Sequence, residues 1–223
     1  MFEICSKIFV SFLVGCVASF ICASTGGAGL ISTPALIFLG LTPQSAIATD
    51  LLAMLGGAIG SFQRFYRSGT IDFRLGGKLM ALTGIGALLG GRALLSINAE
   101  SMQKITAILL LVILAIVLLR GKPQPRQEPA SALLKGISFL LFVGVGFWGT
   151  FFGAGFLIFA STILVLLFGK SLLESAGLLS LLSLTVGLVA VLVYGRAGSV
   201  QWSYCIAMGL ARHWAVHSVP ASL

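Results

Sequence analysis

Asp50 is the residue whose placement asks most for a chemical explanation. It lies seven residues into an apolar run that begins at Pro43. A carboxylate inside a bilayer costs about 2.5–3.5 kcal/mol on insertion scales, so it is expected to face a polar interior. It would then be a proton- or ion-coupling group, or the partner of an arginine. The plainer reading is an interfacial residue near an external helix end. A second feature is the run Ser24-Thr25-Gly26-Gly27-Ala28-Gly29, which interrupts an apolar stretch from residue 8 to residue 39. Each glycine costs about 1 kcal/mol relative to alanine in a helix, so several together favour an unwound segment. Unwound backbone survives at membrane depth only where it is buried in protein or lines a cavity. The amides opening the next helix, over 30–40 with Ser32 and Thr33 in its first turn, then form an anion site aided by the helix dipole. A matching break at 149–155 precedes an apolar helix over 156–167 carrying Ser161 and Thr162. Paired interrupted helices point to a central transport site. The expected substrate-binding residues are Ser24, Thr25, Gly26, Gly27, Gly29, Ser32, Thr33, Thr49, Asp50, Gly153 and Gly155.

Other chemistries find little support. Hydrolase nucleophile elbows, zinc-protease helices and phosphate-binding loops have no counterpart here. His213 and His217 have i, i+4 spacing but no third ligand, so no metal site is expected. Cys5, Cys16, Cys22 and Cys205 lack metal or redox spacing and read as small packing residues. Trp148, Trp202 and Trp214 read as aromatic anchors at the membrane interface. The pairs Gly56/Gly60, Gly86/Gly90 and Gly149/Gly153 have the small-xxx-small spacing of close helix contacts. An intramembrane enzyme would need converging groups that these residues do not supply, so no catalytic residue and no cofactor is expected.

The elements that must hold these residues follow from composition. Of 223 residues, 58% are hydrophobic and 9% charged, against roughly 25% charged in an ordinary soluble domain. Mean hydropathy is +1.09. Such a chain lacks the polar coat a water-soluble fold requires, and a lipid bilayer is its expected surrounding. Apolar runs near 8–24, 43–63, 75–95, 105–119, 133–150, 155–168, 172–194 and 200–211 approach the length of a spanning helix. The alternation of a membrane β-barrel is absent. The expected fold is all-α, a polytopic integral membrane protein of about seven to eight transmembrane helices in two homologous repeats. The net charge of +8 lies in loops between spans, where it orients helices, so nucleic acid is not an expected partner. The first 24 residues resemble a signal peptide, but 17–29 has a mid-chain counterpart at 143–155, which favours mature structure for both.

A linker, 121–132, carries three prolines and separates a first repeat (1–120) from a second (133–210). Gly27-Ala28-Gly29-Leu30 matches Gly153-Ala154-Gly155-Phe156, and Asp50-Leu51-Leu52 parallels Gly177-Leu178-Leu179. The Tyr66–Phe73 turn parallels Tyr194–Trp202. Basic residues Arg64, Arg67, Arg74 and Lys78, with Arg120, Lys122, Arg126 and Lys135, are expected to place loops 64–78 and 120–135 on the cytoplasmic side of a multi-pass membrane protein. Arg196 joins them if the halves run parallel; an extra crossing at 30–40 would invert the halves instead. Residues 211–223 read as an atypical polar tail with no final helix, either native or the product of truncation or a frame shift. Glu174 reads as compensating a helix N-terminus, with Lys170 beside it.

The run GGAGLISTPALIFLGLTPQSAIATDLLAMLGG, followed by RFYRSGTIDFRLGGKLMALTGIGALLGG, resembles the sulfite exporter TauE/SafE family of membrane permeases. The shared features are the Gly-rich break, Pro34 soon after it, a short apolar helix, a Pro-x-x-Ala-x-Ala-Thr lead into the next span and a Tyr/Arg-Gly-x-Ile-Asp turn. The resemblance covers roughly residues 8–210. It implies a bacterial-type inner-membrane permease of about eight spans, with a small anionic substrate such as sulfite, a sulfonate or another organosulfur anion. The competing expectation is a non-transporting accessory or scaffold subunit.

Overall fold

The computed structural model describes residues 2–25, 28–119 and 132–218. Among these the chain is helical: α1 (Phe2–Thr25), α2 (Gly29–Phe38), α3 (Pro43–Arg67), α4 (Phe73–Ser96), α5 (Ala99–Leu119), α6 (Ala132–Phe151), α7 (Phe156–Leu166), α8 (Leu172–Ala190) and α9 (Trp202–Ser218). A π-helical turn, Val191–Gly195, extends α8. The linker expected at 121–132 lies almost wholly outside the described residues.

Local chemistry sets the helix ends. Thr42 caps α3, accepting from the Ser45 amide, with Pro43 in the first turn and Arg64 and Arg67 in the last. Asp72 caps α4 through the Leu75 amide. Ser171 and Glu174 form a reciprocal capping box on α8, the role expected of Glu174.

Among the described residues, four segments are long and apolar enough to cross a membrane: Pro43–Arg67, Phe73–Ser96, Ala99–Ile116 and Leu172–Gly195. Leu111, Ile108, Leu140, Ile85, Leu188 and Leu210 stand more than half exposed on the outer surface, the face that lipid covers. The run expected as a span at 155–168 forms only the 11-residue α7, about 16 Å long and too short to cross. The polar tail expected from residue 211 is not irregular: α9 continues through it to Ser218.

Helix directions follow from contacts along the bundle. Gly187 of α8 receives Leu55 of α3, whereas Gly177 lies against Thr70 and Ile71 just beyond α3. Residue numbers rise along one helix as they fall along the other, so α3 and α8 are antiparallel. α9 runs with α3: the Gln201 amide reaches Thr49 at 3.1 Å, and the Arg64 guanidinium reaches the Val216 carbonyl at 3.5 Å. One end of the bundle therefore carries Arg64, Arg67, Asp72 and Lys170. The other carries Thr42 and the turn 196–201, which begins at Arg196. The alternative that placed Arg196 beside the basic 64–78 turn is thus corrected.

Glycines let the backbones meet. α4 packs on α6, where a Cβ on Gly86, Gly90 or Gly146 would collide with the carbonyl of Val143, Phe147 or Thr83 respectively. α3 packs on α9, where Gly56 meets the Gly209 carbonyl. Gly149 and Gly153, expected as another packing pair, serve differently. Gly149 makes room for the Phe156 ring, and Gly153 adopts φ +77°.

Candidate functional site

Two helical hairpins enter the bundle from opposite ends. α1 descends beside α9, with Gly15 on Met208 and Ala211, and α2 returns to the end that holds Thr42. α6 follows α4 from the basic end, with Thr150 near Gly91, and α7 returns toward Lys170. Their tips touch. A Cβ on Gly29 would lie 3.0 Å from Ala154 Cα, so the two glycine breaks predicted from sequence pack directly on each other.

The second tip is built by two left-handed glycines, Gly153 (φ +77°) and Gly155 (φ +79°), a conformation that side-chain-bearing residues avoid. The amides of Phe152 and Gly153 both donate to the Trp148 carbonyl, at 2.9 and 3.2 Å. The Trp148 indole N–H donates to the Ala154 carbonyl at 2.9 Å. Trp148 thus braces the tip internally and is not the interface anchor it was expected to be; Trp202 and Trp214 are exposed. At the first tip, the Ala28 carbonyl accepts from the Ile31 and Ser32 amides, both at 3.1 Å, and from Ser32 Oγ at 2.9 Å.

Asp50 lies beside this junction, since its neighbour Leu51 packs against Gly153. All of residues 46–53 are buried. Asp50 Oδ1 pairs with Arg212 Nη2. The same Nη2 donates to Ser32 Oγ at 3.0 Å, and Nη1 donates to the Asp50 carbonyl at 3.2 Å. Arg212 is 5% exposed, and its Nε has no partner. One guanidinium therefore ties together α2, α3 and α9. Of the two chemical readings of Asp50, the arginine partner is the one present.

The predicted residues divide clearly. Gly29, Ser32, Asp50 and Gly153 converge. Thr33 is buried beside Ser32 with its hydroxyl unpartnered. Thr49 is engaged by the Gln201 amide. Gly155 turns toward Ile113 of α5. Gly26, Gly27 and the side chains of Ser24 and Thr25 lie outside the described residues. Sequence reasoning missed Arg212, which sits in the segment read as tail; the signal was an arginine flanked by Met208, Ala211 and Ala215, the apolar face of a buried helix. His213 Nδ1 lies 3.2 Å from the Gly56 carbonyl, and its ring meets that of His217 at 4.8 Å. Among the described residues no group of three or more metal-ligating side chains forms.

A polar cavity of about 380 Å³ opens at the Thr42 end, lined by Thr42, Ser45, Ser199 and Gln201 among others. Its Gln201 is the residue bonded to Thr49, one position from Asp50.

The model of the sulfite exporter TauE/SafE family matches residues 11–215. The chain belongs to the sulfite exporter TauE/SafE family. As a family member with several apolar helices, it is a multi-pass membrane protein of the transporter type. A probable membrane transporter protein of Haemophilus influenzae is 31% identical over 195 residues, covering 86% of this chain and 76% of the relative. The probable membrane transporter protein YfcA of Escherichia coli is 30% identical over 196 residues, covering 87% and 72%. YdhB of Bacillus subtilis, also described as a probable membrane transporter protein, is 26% identical over 187 residues, covering 81% and 75%. No solved structure matches this TauE/SafE chain. The family match reaches residue 215 and so includes Arg212.

Proposed function

We propose that this TauE/SafE chain is a secondary permease for a small anion of the sulfite, sulfonate or organosulfur class. The observation that carries the reading is the meeting of two broken-helix hairpins at a buried arginine. Broken helices at membrane depth bring backbone amides and helix dipoles to a site that lipid cannot reach. The arginine adds a positive charge suited to an oxyanion. In this closed conformation the tips are in contact, and transport requires them to part.

An inverted duplication fits the same reading. Exchanging α1–α4 with α6–α9 carries the α4–α6 pair onto α9–α1 and the α3–α9 pair onto α8–α4, while the α3–α8 pair maps onto itself. The antiparallel course of α3 and α8 supports halves that cross the membrane in opposite senses. On this reading α1, α3, α4, α5, α6, α8 and α9 are the seven long segments in the bilayer, with α2 and α7 as re-entrant arms. The end bearing Arg64, Arg67, Arg74 and Lys78 faces the cytoplasm of an inner membrane, because basic residues are retained there.

Uptake or efflux of labelled sulfite and methanesulfonate by proteoliposomes tests the function. Flux above protein-free vesicles that saturates with substrate is the expected result. Absence of flux for every small anion tried rejects it. Accessibility of single cysteines at Arg67 and Ser199 to an impermeant reagent tests the orientation, and opposite-side labelling is expected.

A further inference from the structure

We propose that Arg212 is the residue that recognises the transported anion, and that the Asp50 carboxylate occupies the anion's place in the closed state. The inference rests on the permease reading and names the binding group within it.

The geometry distinguishes a displaceable partner from a permanent clamp. A guanidinium carries five N–H donors in a planar fork, and a carboxylate that fills one edge takes two of them. Asp50 meets Arg212 through Oδ1 alone, on Nη2. The remaining bonds go to the Asp50 carbonyl and to Ser32 Oγ. Nε stays buried and empty. A built-in structural pair gains most when every donor is satisfied, because an unpaired buried donor carries its full desolvation cost. Here the Nε edge is unfilled. An oxyanion with two or three oxygens satisfies both Nε and Nη2, which the single Asp50 oxygen does not.

The surroundings favour the same exchange. Ser32, in the first turn of α2, is already bonded to Arg212, and the buried hydroxyl of Thr33 next to it has no partner. Ser32 Oγ, which accepts from Arg212 and donates to the Ala28 carbonyl, thus already stands at the anion position. The polar cavity at the Thr42 end reaches Gln201, whose amide holds Thr49, the neighbour of Asp50. Parting of that contact opens a route from the cavity to the guanidinium. Asp50 acts as an internal competitor: while it holds Arg212, only the fraction of molecules with the arginine released can bind, and apparent affinity falls by that fraction.

The test is equilibrium binding of methanesulfonate and of sulfite to the full chain in lipid nanodiscs. Wild type is compared with Asp50→Asn, Arg212→Gln and Arg212→Lys. With the competitor neutralised, Asp50→Asn is expected to bind at least about tenfold more tightly than wild type. Arg212→Gln is expected to lose binding. Arg212→Lys keeps the charge and the ion pair but not the fork, and is expected to fold and to bind about tenfold more weakly. A structural clamp predicts instead that Asp50→Asn and Arg212→Gln weaken binding alike, or leave it unchanged in whatever folds. Either of those results overturns the proposal, as does wild-type affinity in Arg212→Lys. Where Arg212→Gln fails to fold, Asp50→Asn and Arg212→Lys decide the matter. Saturable wild-type flux without tighter binding by Asp50→Asn removes the assignment of Arg212 and leaves the permease reading standing. Absence of both flux and binding in wild type removes the permease reading itself.

Discussion

The two hairpin tips touch each other, yet they are held by different forces. The α2 arm is tied down by polar contacts: Ser32 to Arg212, and Arg212 to Asp50. The α7 arm is held by apolar burial of Phe156, Ile158, Ala160, Leu164 and Val165, with hydrogen bonds from the Trp148 indole to the Ala154 carbonyl and from the Tyr194 hydroxyl to the Thr150 carbonyl bracing its approach. Apolar packing is non-directional and is lost only by exposing area. A polar tie can be exchanged for another polar partner at nearly equal energy. On the proposed anion-permease function, α2 is the arm whose contacts a substrate anion replaces, while α7 provides a steadier surface against which it moves.

The largest expected effect breaks the polar arm. Arg212→Ala leaves the Asp50 carboxylate buried without its cation. Breaking a buried pair in this way costs about 3–5 kcal/mol. Thermal unfolding in detergent is expected to show a drop of several degrees or more, and an unchanged midpoint would mean that the pair contributes nothing to holding α2.

Wedging the tips apart comes next. Gly29→Val places a branched side chain where Ala154 Cα already lies 3.0 Å from a single added Cβ. Overpacking of this kind typically costs about 1–3 kcal/mol. It is also expected to disfavour the closed state, raising the reactivity of a cysteine placed at Ser32 toward a small thiol reagent. Lower reactivity than in the same cysteine variant with Gly29 intact would contradict tip contact.

The apolar arm is sharpened by smaller changes. Gly155→Ala forces an L-residue into the left-handed region, at a cost of about 1–2 kcal/mol, and presses its Cβ toward Ile113 at 3.2 Å. Trp148→Phe keeps the ring but removes the N–H bonded to the Ala154 carbonyl, for about 0.5–1.5 kcal/mol. If α7 is held mainly by burial, Trp148→Phe leaves transport nearly intact, whereas Ser32→Ala on the other arm alters it. Equal losses in the two would erase the distinction between arms.

The smallest effect lies outside the membrane. The hydrogen bond that Asp72 accepts from the Leu75 amide, with help from the Lys170 ammonium at 3.2 Å, holds the Asp72 carboxyl below its ordinary range against the opposing effect of burial. Because the folded value is depressed, the stabilisation is present above the unfolded value of about 3.9 and fades as pH falls through the folded one. Asp72 is 41% exposed, so solvent screening limits the contribution to a few tenths of a kcal/mol. The stability difference between wild type and Asp72→Asn is expected to shrink on acidification from pH 6 to pH 3. A difference that grew would reverse the sign of the argument.

Much of this architecture is legible in the residues because it rests on local chemistry. Apolar runs and their caps mark α3, α4 and α8, with Thr42-Pro43, Asp72 and Ser171/Glu174 fixing their starts. The glycine runs mark both breaks, although glycine alone does not make one: α4 stays helical through Gly86, Gly90 and Gly91. Length alone misleads at α7, because a buried arm and a lipid-crossing helix are equally apolar. The tail misleads for the opposite reason: ARHWAVHS looks polar in one dimension, while in three its Ala211, Arg212 and Ala215 face inward.

From the residues alone follow membrane helices interrupted twice by glycine, a carboxylate seven residues into an apolar run and a basic turn between two spans. Those are properties of single segments, set by burial, propensity and insertion cost. It is tertiary contacts that set α3 antiparallel to α8, bring the two breaks together at Gly29 and Ala154, and give Asp50 its cation in Arg212, 162 positions away. Such pairings depend on which backbones approach closely enough to exclude all but glycine, and on an arginine long enough to reach back along its helix. Neither the direction of a helix nor the partner of a buried charge is written in its own segment.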